Sequence, residues 1–159
     1  GDWAKDRLIP DCIRKWSQKQ IVKIRNPSAI RPWQHVLDPL SGYKMLAEIM
    51  YNSTGNYATA WNFGPNEIEN NQSVQNVVDI LGKSWGPEAQ WEVDSGEKPH
   101  ESSFLRLDCA KARIKLGWQP KWNLQKTIIN VSEWYKLHYD KPDLIREFTE
   151  KQIYSHENS

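Results

Sequence analysis

The chain has 159 residues, 38% of them hydrophobic, and its 21 Lys and Arg residues are balanced by 20 Asp and Glu residues. A net charge of +1 argues against a general nucleic-acid binder, which would carry a marked excess of basic residues. No apolar run approaches the roughly 20 residues of a membrane span and there is no signal peptide, so we expect a cytoplasmic protein without a membrane partner.

Four features of the sequence bear on the class of protein. Cys12 and Cys109 lie far apart without a CxxC pattern, which indicates reduced thiols and leaves one disulfide as the alternative. The four histidines show no metal-ligand spacing. The chain starts at Gly1 without an initiator Met, which predicts a piece of a longer chain, and it carries nine tryptophans. So many tryptophans favour flat amphipathic surfaces, as in sugar sites or domain seams, or simply a Trp-rich core.

The first half of the chain predicts alternating helices and strands. Apolar residues recur at helical spacing in the helices, the first strand alternates apolar and basic residues, and the second is aromatic and rich in alanine. Asp6 is expected to cap the first helix, and Asp38, followed by Pro39, to cap the second. The order is helix, strand, helix, strand over residues 6–18, 21–24, 39–51 and 57–63.

The second half predicts four helices, three of them with N-cap residues. Ser73 and Asn123 are good caps, Asp108 is a third, and Gly117 is expected to end a helix in the left-handed conformation. The tail from Ser155 is expected to fray. The predicted helices cover residues 74–85, 109–116, 124–139 and a charged segment from 142, with a strand at 90–93 and a strand-like stretch at 104–107. Short, widely separated strands make no convincing independent sheet, so part of the sheet is expected to be missing.

The sequence contains candidate binding groups and no recognisable catalytic centre. The nucleophile elbow GxSxG, the phosphate loop GxxxxGK[ST] and the dinucleotide fingerprint GxGxxG are all absent. Arg31 lies in the loop between a strand and a helix, beside Pro32 and Trp33. A guanidinium held by rigid neighbours can grip phosphate at two points; the alternative is a surface Arg stacked on Trp33.

Two further groups could contact a ligand. His100 and Glu101 lie in a polar loop and could bond sugar or ribose hydroxyls, although a solvated polar pair is the commoner case. Asn66 follows the Gly64-Pro65 break, where an Asn usually serves the backbone turn. These groups leave a binding function open without establishing it.

Several segments occur in an order that resembles a known family. The stretches "IRPWQHVLDPLSGY" and "KPHESSFLRLDCAKARIKLGWQPKWNL", with "GDWAKDRLIPD" and "WNFGPNE", resemble the C-terminal part of CDP-glucose 4,6-dehydratases. These enzymes are nucleotide-sugar dehydratases of the extended short-chain dehydrogenase/reductase group, within the NAD-dependent epimerase/dehydratases. The resemblance covers residues 1–139, and "IRPWQHVLDPLSGY" is its most specific part.

The resemblance implies an α/β, α-rich fold: the C-terminal substrate-binding lobe, with elements completing a Rossmann sheet that is mostly absent. Residues 1–141 would form the substrate-binding part and residues 142–159 a C-terminal helix and tail. NAD and the Tyr-x-x-x-Lys pair would belong to the missing N-terminal part, so this chain alone would be inactive and poorly stable. The full-length protein would be a homodimer acting on a CDP-sugar. Another nucleotide-sugar epimerase or dehydratase, or a non-catalytic nucleotide-sugar-binding module, are the alternatives.

The resemblance also implies which residues touch the substrate. Arg31 would contact the pyrophosphate, the first turn of the first helix would lie along the nucleotide, and the first strand would border the base. The polar loop would reach ribose and phosphate, although the basic residues that sister families carry near Ser102 and Ser103 are absent. The implied substrate-binding residues are Leu8, Ile9, Pro10, Val22, Lys23, Ile24, Arg31, Asn66, His100, Glu101 and Phe104.

Overall fold

The computed structural model describes residues 3–67, 71–96 and 102–159. The elements in chain order are α1 (Leu8–Ser17), β1 (Val22–Ile24), α2 (Leu37–Asn52), α3 (Val74–Trp85), β2 (Trp91–Val93), α4 (Ala110–Leu116), α5 (Leu124–Asp140), a 3₁₀ turn (Pro142–Leu144) and α6 (Ile145–Glu157). The fold is therefore rich in helix with a small sheet, as predicted.

The sheet has two parallel strands, β1 and β2, which pair Val22 with Trp91 and Ile24 with Val93. The strand predicted over residues 57–63 does not form: this stretch is irregular. A strand needs a neighbour to accept and donate its backbone hydrogen bonds. Within the described part of the chain no segment pairs with residues 57–63, so this prediction is wrong for the chain as it stands.

The main core lies where α1, α3 and α5 pack around the sheet. Ile13 and Trp16 from α1 and Val78 and Leu81 from α3 are fully buried, and Ile128 of α5 joins them. These residues recur at helical spacing, which is why each helix turns one apolar face inward. A second cluster, around Phe63, Ala112 and Trp118, lies beside α2 and α4.

Two of the predicted N-caps are confirmed. Ser73 Oγ accepts a hydrogen bond from Asn76 N at 3.1 Å, and Asn123 Oδ1 accepts one from Lys126 N at 2.8 Å. Gly117 ends α4 in the left-handed conformation, with φ of 69°. Asp108 Oδ1 accepts from Ala110 N at 2.8 Å, although α4 begins one residue later than predicted.

Two other predicted N-caps, Asp6 and Asp38, are wrong. Asp6 lies outside α1 with φ of 60°, and Arg7 precedes the helix without a side-chain cap. α2 begins at Leu37, so Asp38 lies inside its first turn with a fully buried carboxylate. The chain end also differs from expectation, because α6 continues through Ser155 to Glu157 rather than fraying.

One face of α2 remains uncovered in the described part of the chain. Leu40, Tyr43 and Met50 are each about half exposed, and Val36 and Tyr51 are more exposed still. Their spacing places them along one stripe of the helix. No helix among the described residues has both the length and the apolar character needed to cross a bilayer.

Both cysteines are free thiols and both are buried. Burial raises the pKa of Cys12 to about 12 and also raises the pKa of Cys109. Both thiols are therefore protonated at neutral pH. That both are free agrees with the prediction of reduced thiols rather than a disulfide between them.

Candidate functional site

The segment before Arg31 is braced between two other parts of the chain. Ile30 bridges Ser73 in antiparallel fashion and Phe104 in parallel fashion. Its N–H donates to Ser103 O at 2.9 Å, and its carbonyl accepts from Leu105 N at 3.1 Å. The start of α3 and residues 103–105 therefore meet on either side of the loop, which fixes the backbone immediately before the predicted phosphate-binding Arg.

Arg31 is half-buried and is held to its own loop. Its backbone N–H donates to Gln72 O at 3.3 Å, and its Nη1 donates to Ile30 O at 2.8 Å. Trp33 Nε1 donates to the same Gln72 carbonyl at 3.1 Å, and its ring packs against the main core. A guanidinium on such a constrained loop loses little further entropy when it binds an anion.

Phe104 lies beside this loop through its pairing with Ile30. Phe104 is 51% exposed, and the guanidinium carbon of Arg106 lies 4.3 Å from the centroid of its ring. Sequence reasoning missed Arg106, although the two-residue spacing of Phe104 and Arg106 in a strand-like stretch was a usable signal. The pair offers a flat surface and a cation, the groups that stack on a base and attract a phosphate.

The predicted contacts on α1 lie in its first turn. Leu8 and Ile9 are partly buried and pack against the main core, and Pro10 is buried. Little of their surface is therefore left for a ligand, and their place beside a nucleotide stays a prediction.

The predicted contacts on β1 divide between core and surface. Val22 and Ile24 are each 4% exposed and belong to the core, whereas Lys23 lies at the surface and pairs with Glu92 at 3.7 Å. Only Lys23 of these three presents its side chain outward. A sheet residue and its neighbours point to opposite faces, which accounts for this alternation.

An open cavity of about 500 Å³ lies between α1 and β1. Its lining includes the cations Lys5, Arg14, Lys15 and Lys23, and two acids, Asp6 and Asp11. Arg14 is committed to a pair with Asp11 and to the carbonyl of Trp3 at 2.8 Å. Of the residues predicted to border the nucleotide, Val22 and Lys23 line this cavity, whereas Leu8, Ile9 and Pro10 do not.

Three predicted contacts lie near or beyond the limits of the described residues. His100 and Glu101 are outside them. Asn66 is exposed just after the buried Gly64 and Pro65. The structure thus brings Arg31 and Phe104 to one place, sets α1 and β1 around another, and leaves the joint role of these groups a prediction.

His35 was left unassigned by the sequence and is buried beside the loop. Its ring Nδ1 accepts a hydrogen bond from Leu37 N at 3.2 Å, and the ring centroid lies 4.8 Å from that of Trp122. Burial lowers the pKa of His35 to about 4. The nearby Asp38 carboxylate raises this pKa and opposes the effect of burial, whereas His156 lowers it further by a smaller amount. The imidazole is therefore neutral at neutral pH.

We expect the stability of the full-length protein to fall as the pH falls from about 6.5 towards 4. In that range the unfolded chain binds a proton at His35, whereas His35 in the folded chain stays neutral. This contribution is fully present above pH 6.5 and is worth on the order of 3 kcal/mol over the window, since the pKa of His35 drops from 6.5 to about 4. Urea unfolding at a series of pH values measures it. His35→Asn keeps an acceptor for Leu37 N and should flatten the slope; an equal slope in both proteins would contradict the assignment.

Comparison with curated proteins finds that the chain is similar to parts of dehydratases and epimerases of nucleotide sugars. It is 46% identical over 145 residues to the CDP-glucose 4,6-dehydratase of Salmonella typhimurium strain LT2, covering 91% of this chain and 40% of the dehydratase. The resemblance predicted from the sequence is therefore confirmed. The match supports the prediction that the chain resembles the C-terminal part of that enzyme. No protein-family model matches the chain.

More distant relatives are epimerases. The UDP-glucose 4-epimerase of Bacillus subtilis strain 168 is 28% identical over 110 residues, covering 69% of this chain and 31% of the epimerase. The bifunctional UDP-glucose and UDP-xylose 4-epimerase 1 of Pisum sativum is 26% identical over 112 residues, covering 70% of this chain and 31% of that protein. The chain thus spans less than half the length of each of these relatives.

Proposed function

We propose that this chain is the substrate-binding part of a CDP-glucose 4,6-dehydratase and that it holds the CDP moiety. The observation that carries the proposal is the braced loop of Arg31, set beside the exposed Phe104 and Arg106, in a chain 46% identical to a CDP-glucose 4,6-dehydratase. Arg31 would grip the pyrophosphate and Phe104 would cover the base or ribose. His100 and Glu101 remain proposed ribose and phosphate contacts, and Asn66 a nucleotide contact.

The first helix and strand complete this proposal. The cations Lys5, Lys15 and Lys23 line the cavity between α1 and β1, where they would attract an anionic ligand. Leu8, Ile9 and Pro10 lie in the first turn of α1 outside the cavity lining, and they remain proposed nucleotide contacts. Val22 and Ile24 would act from beneath by supporting Lys23, because both are buried.

The full-length protein would convert CDP-glucose to CDP-4-keto-6-deoxyglucose and water. When bound, NAD supplies the hydride acceptor and donor for that internal redox cycle. Residues of this chain do not fit NAD: within the described part the glycines with positive φ, Gly86 and Gly117, both follow helix ends rather than a strand-to-helix turn. The role of this chain is instead to hold the CDP handle, so that binding energy remote from the sugar orients the reacting carbons.

The uncovered face of α2 supports the proposal that more polypeptide completes the fold. Leu40, Tyr43 and Met50 expose apolar surface on one stripe, and the irregular residues 57–63 lack a strand partner within the described part of the chain. Isolated, such surfaces favour aggregation. A lobe that pairs with residues 57–63 and covers α2 would remove both liabilities.

Turnover of a panel of nucleotide sugars by the full-length protein tests the proposal. We expect CDP-glucose to bind most tightly and to lose water, whereas UDP-glucose and dTDP-glucose bind more weakly. Tightest binding to a UDP- or dTDP-sugar would reject the CDP assignment. Inversion at C4 without loss of water would instead favour an epimerase. Tight CDP-glucose binding by this chain alone, folded and monomeric, would favour the non-catalytic module.

A further inference from the structure

A buried acid joins the start of α2 to the last turn of α6. Asp38 has no exposed surface, and its Oδ1 accepts from Lys121 N at 2.8 Å and lies 2.9 Å from His156 Nε2. His156 is 3% exposed. Asp38 Oδ2 is buried and has no hydrogen-bond partner among the residues that the structure describes. The carboxylate therefore depends on few contacts, and His156 supplies one of them from 118 residues away in the sequence.

Loss of the His156 contact would be costly for this carboxylate. A buried charge that loses a partner retains its full desolvation cost, whereas an exposed ion pair has little to lose. The chain contains such an exposed pair between the same two helices: Lys44 Nζ lies 3.4 Å from Glu157 Oε1, and both side chains are more than half exposed. The two pairs offer a matched comparison.

Two lysines lie near His156, one in direct contact with its backbone and one beyond the Trp122 ring. Lys121 Nζ donates to the backbone carbonyls of His156 and Glu157, at 2.9 Å and 2.7 Å, from the segment before α5. Lys126 of α5 lies 4.9 Å from the Trp122 ring centroid, and the Trp122 ring lies 5.0 Å from the His156 ring. Since the Lys121 contacts use backbone carbonyls, they survive replacement of the His156 side chain.

The Asp38 end of this contact is connected to Arg31 through a short, hydrogen-bonded loop. Asp38 N donates to His35 O at 3.1 Å, and Gln34 Nε2 donates to Phe63 O at 2.8 Å. Trp33 N donates to Arg31 O at 3.0 Å. Nearly every residue between Arg31 and Asp38 is thus fixed by a neighbour, so a displaced Asp38 would release one end of a braced loop.

A second connection runs through aromatic rings. The Trp122 ring contacts the imidazoles of both His35 and His156, with centroid distances of 4.8 Å and 5.0 Å. His156 therefore contacts the loop both directly, through Asp38, and indirectly, through Trp122 and His35. Coupling that is carried by packed and hydrogen-bonded neighbours typically changes binding by a modest factor.

We propose that His156 is a positioning residue for the substrate site: from α6 it holds the buried Asp38 and so clamps the loop that presents Arg31. This inference rests on the proposed function only for its substrate, because the clamp itself can be measured without a ligand. α6 is then a working part of the binding site rather than an appended tail.

The experiment compares His156→Ala with the wild-type full-length protein. We expect roughly fivefold higher KM for CDP-glucose with kcat changed less than about twofold. We also expect amide hydrogen exchange in residues 31–38 to quicken by roughly tenfold in the absence of ligand. His156→Gln places an amide near the Nε2 position and should restore both values. Lys44→Ala, which breaks the exposed pair between the same helices, should leave both unchanged.

Several outcomes would overturn the clamp. Wild-type KM and exchange in His156→Ala would do so, as would a Gln variant no better than the Ala variant. If His156→Ala does not fold, His156→Asn, which is too short to reach Asp38, is compared with His156→Gln in the same assays. Faster exchange in a protein that does not bind CDP-glucose would reject the proposed substrate and leave the clamp standing. Normal CDP-glucose binding with no change in either readout would reject the clamp alone.

Discussion

Arg31→Ala in the full-length protein should raise the KM for CDP-glucose by roughly 30-fold, because it removes a charge-assisted grip worth about 2 kcal/mol. The loop itself should persist, since Ile30 keeps its backbone bonds to Ser103 and Leu105. The urea midpoint should therefore shift little compared with the change in KM. Steady-state kinetics and urea unfolding on the same preparation separate the two effects.

Two variants sharpen this prediction. Arg31→Lys should also bind poorly, because an ammonium cannot make the planar two-point contact with a phosphate. Arg25→Ala is the matched control, since Arg25 is an exposed cation a few residues earlier in the same connection. An unchanged KM in Arg31→Ala, together with lower stability, would mean that the guanidinium only braces the Ile30 carbonyl, to which it donates at 2.8 Å.

Trp16→Ala should lower the free energy of unfolding of the full-length protein by about 3–5 kcal/mol, which is much of the stability of an ordinary domain. Trp16 is 1% exposed in the main core, and its Nε1 donates to Gln90 O at 2.8 Å, next to β2. The substitution leaves a large cavity beneath α3 and removes one of two hydrogen bonds to the Gln90 carbonyl, which keeps the bond from Val22 N at 3.0 Å. Urea unfolding followed by far-UV circular dichroism measures the loss.

Graded variants separate packing from hydrogen bonding at this site. Trp16→Phe keeps much of the ring volume and should lose less, mainly through the missing donor to Gln90. Trp3→Ala, at a tryptophan that is 39% exposed, should lose far less than Trp16→Ala. Equal midpoints for Trp16→Ala and wild type would show that the core around α1 contributes little to stability.

Local chemistry made some elements predictable. Ser73 and Asn123 cap their helices through side chains that bond backbone N–H groups three residues ahead, so a short sequence window contains the whole interaction. Gly117 similarly needs only its own left-handed conformation. Each of these was predicted from the sequence, because neither partner lies far along the chain.

Several predictions were wrong because the structure there depends on residues far away in the sequence. Asp38 looked like an N-cap, yet its carboxylate binds Lys121 N, 83 residues away, and His156 beyond that. The tail from Ser155 looked frayed because no local feature predicts that His156 would be buried. Residues 57–63 have the composition of a strand, but composition cannot supply the neighbour that a strand requires.

The site was predicted only in part, for the same reason. Arg31 was predicted to bind phosphate because its immediate neighbours in the loop suggest it. Phe104 was predicted as a substrate contact only through the resemblance to a family. That they lie together follows from the pairing of Ile30 with both Ser73 and Phe104, which no short window reveals. Val22 and Ile24 were predicted as substrate contacts together with the rest of their strand, whereas both are buried and only Lys23 lies at the surface.

The double pairing of Ile30 also constrains the order in which the molecule assembles. One peptide unit joins segments 43 residues apart on one side and 74 residues apart on the other. Closing such long loops costs chain entropy before any contact rewards it, so contacts of this kind tend to form late. The loop of Arg31 should accordingly be among the last parts to order during folding, after α3 and the stretch around Phe104 are both in place. A nascent or partly folded chain would then have helices and a core while still being unable to hold an anion at this position.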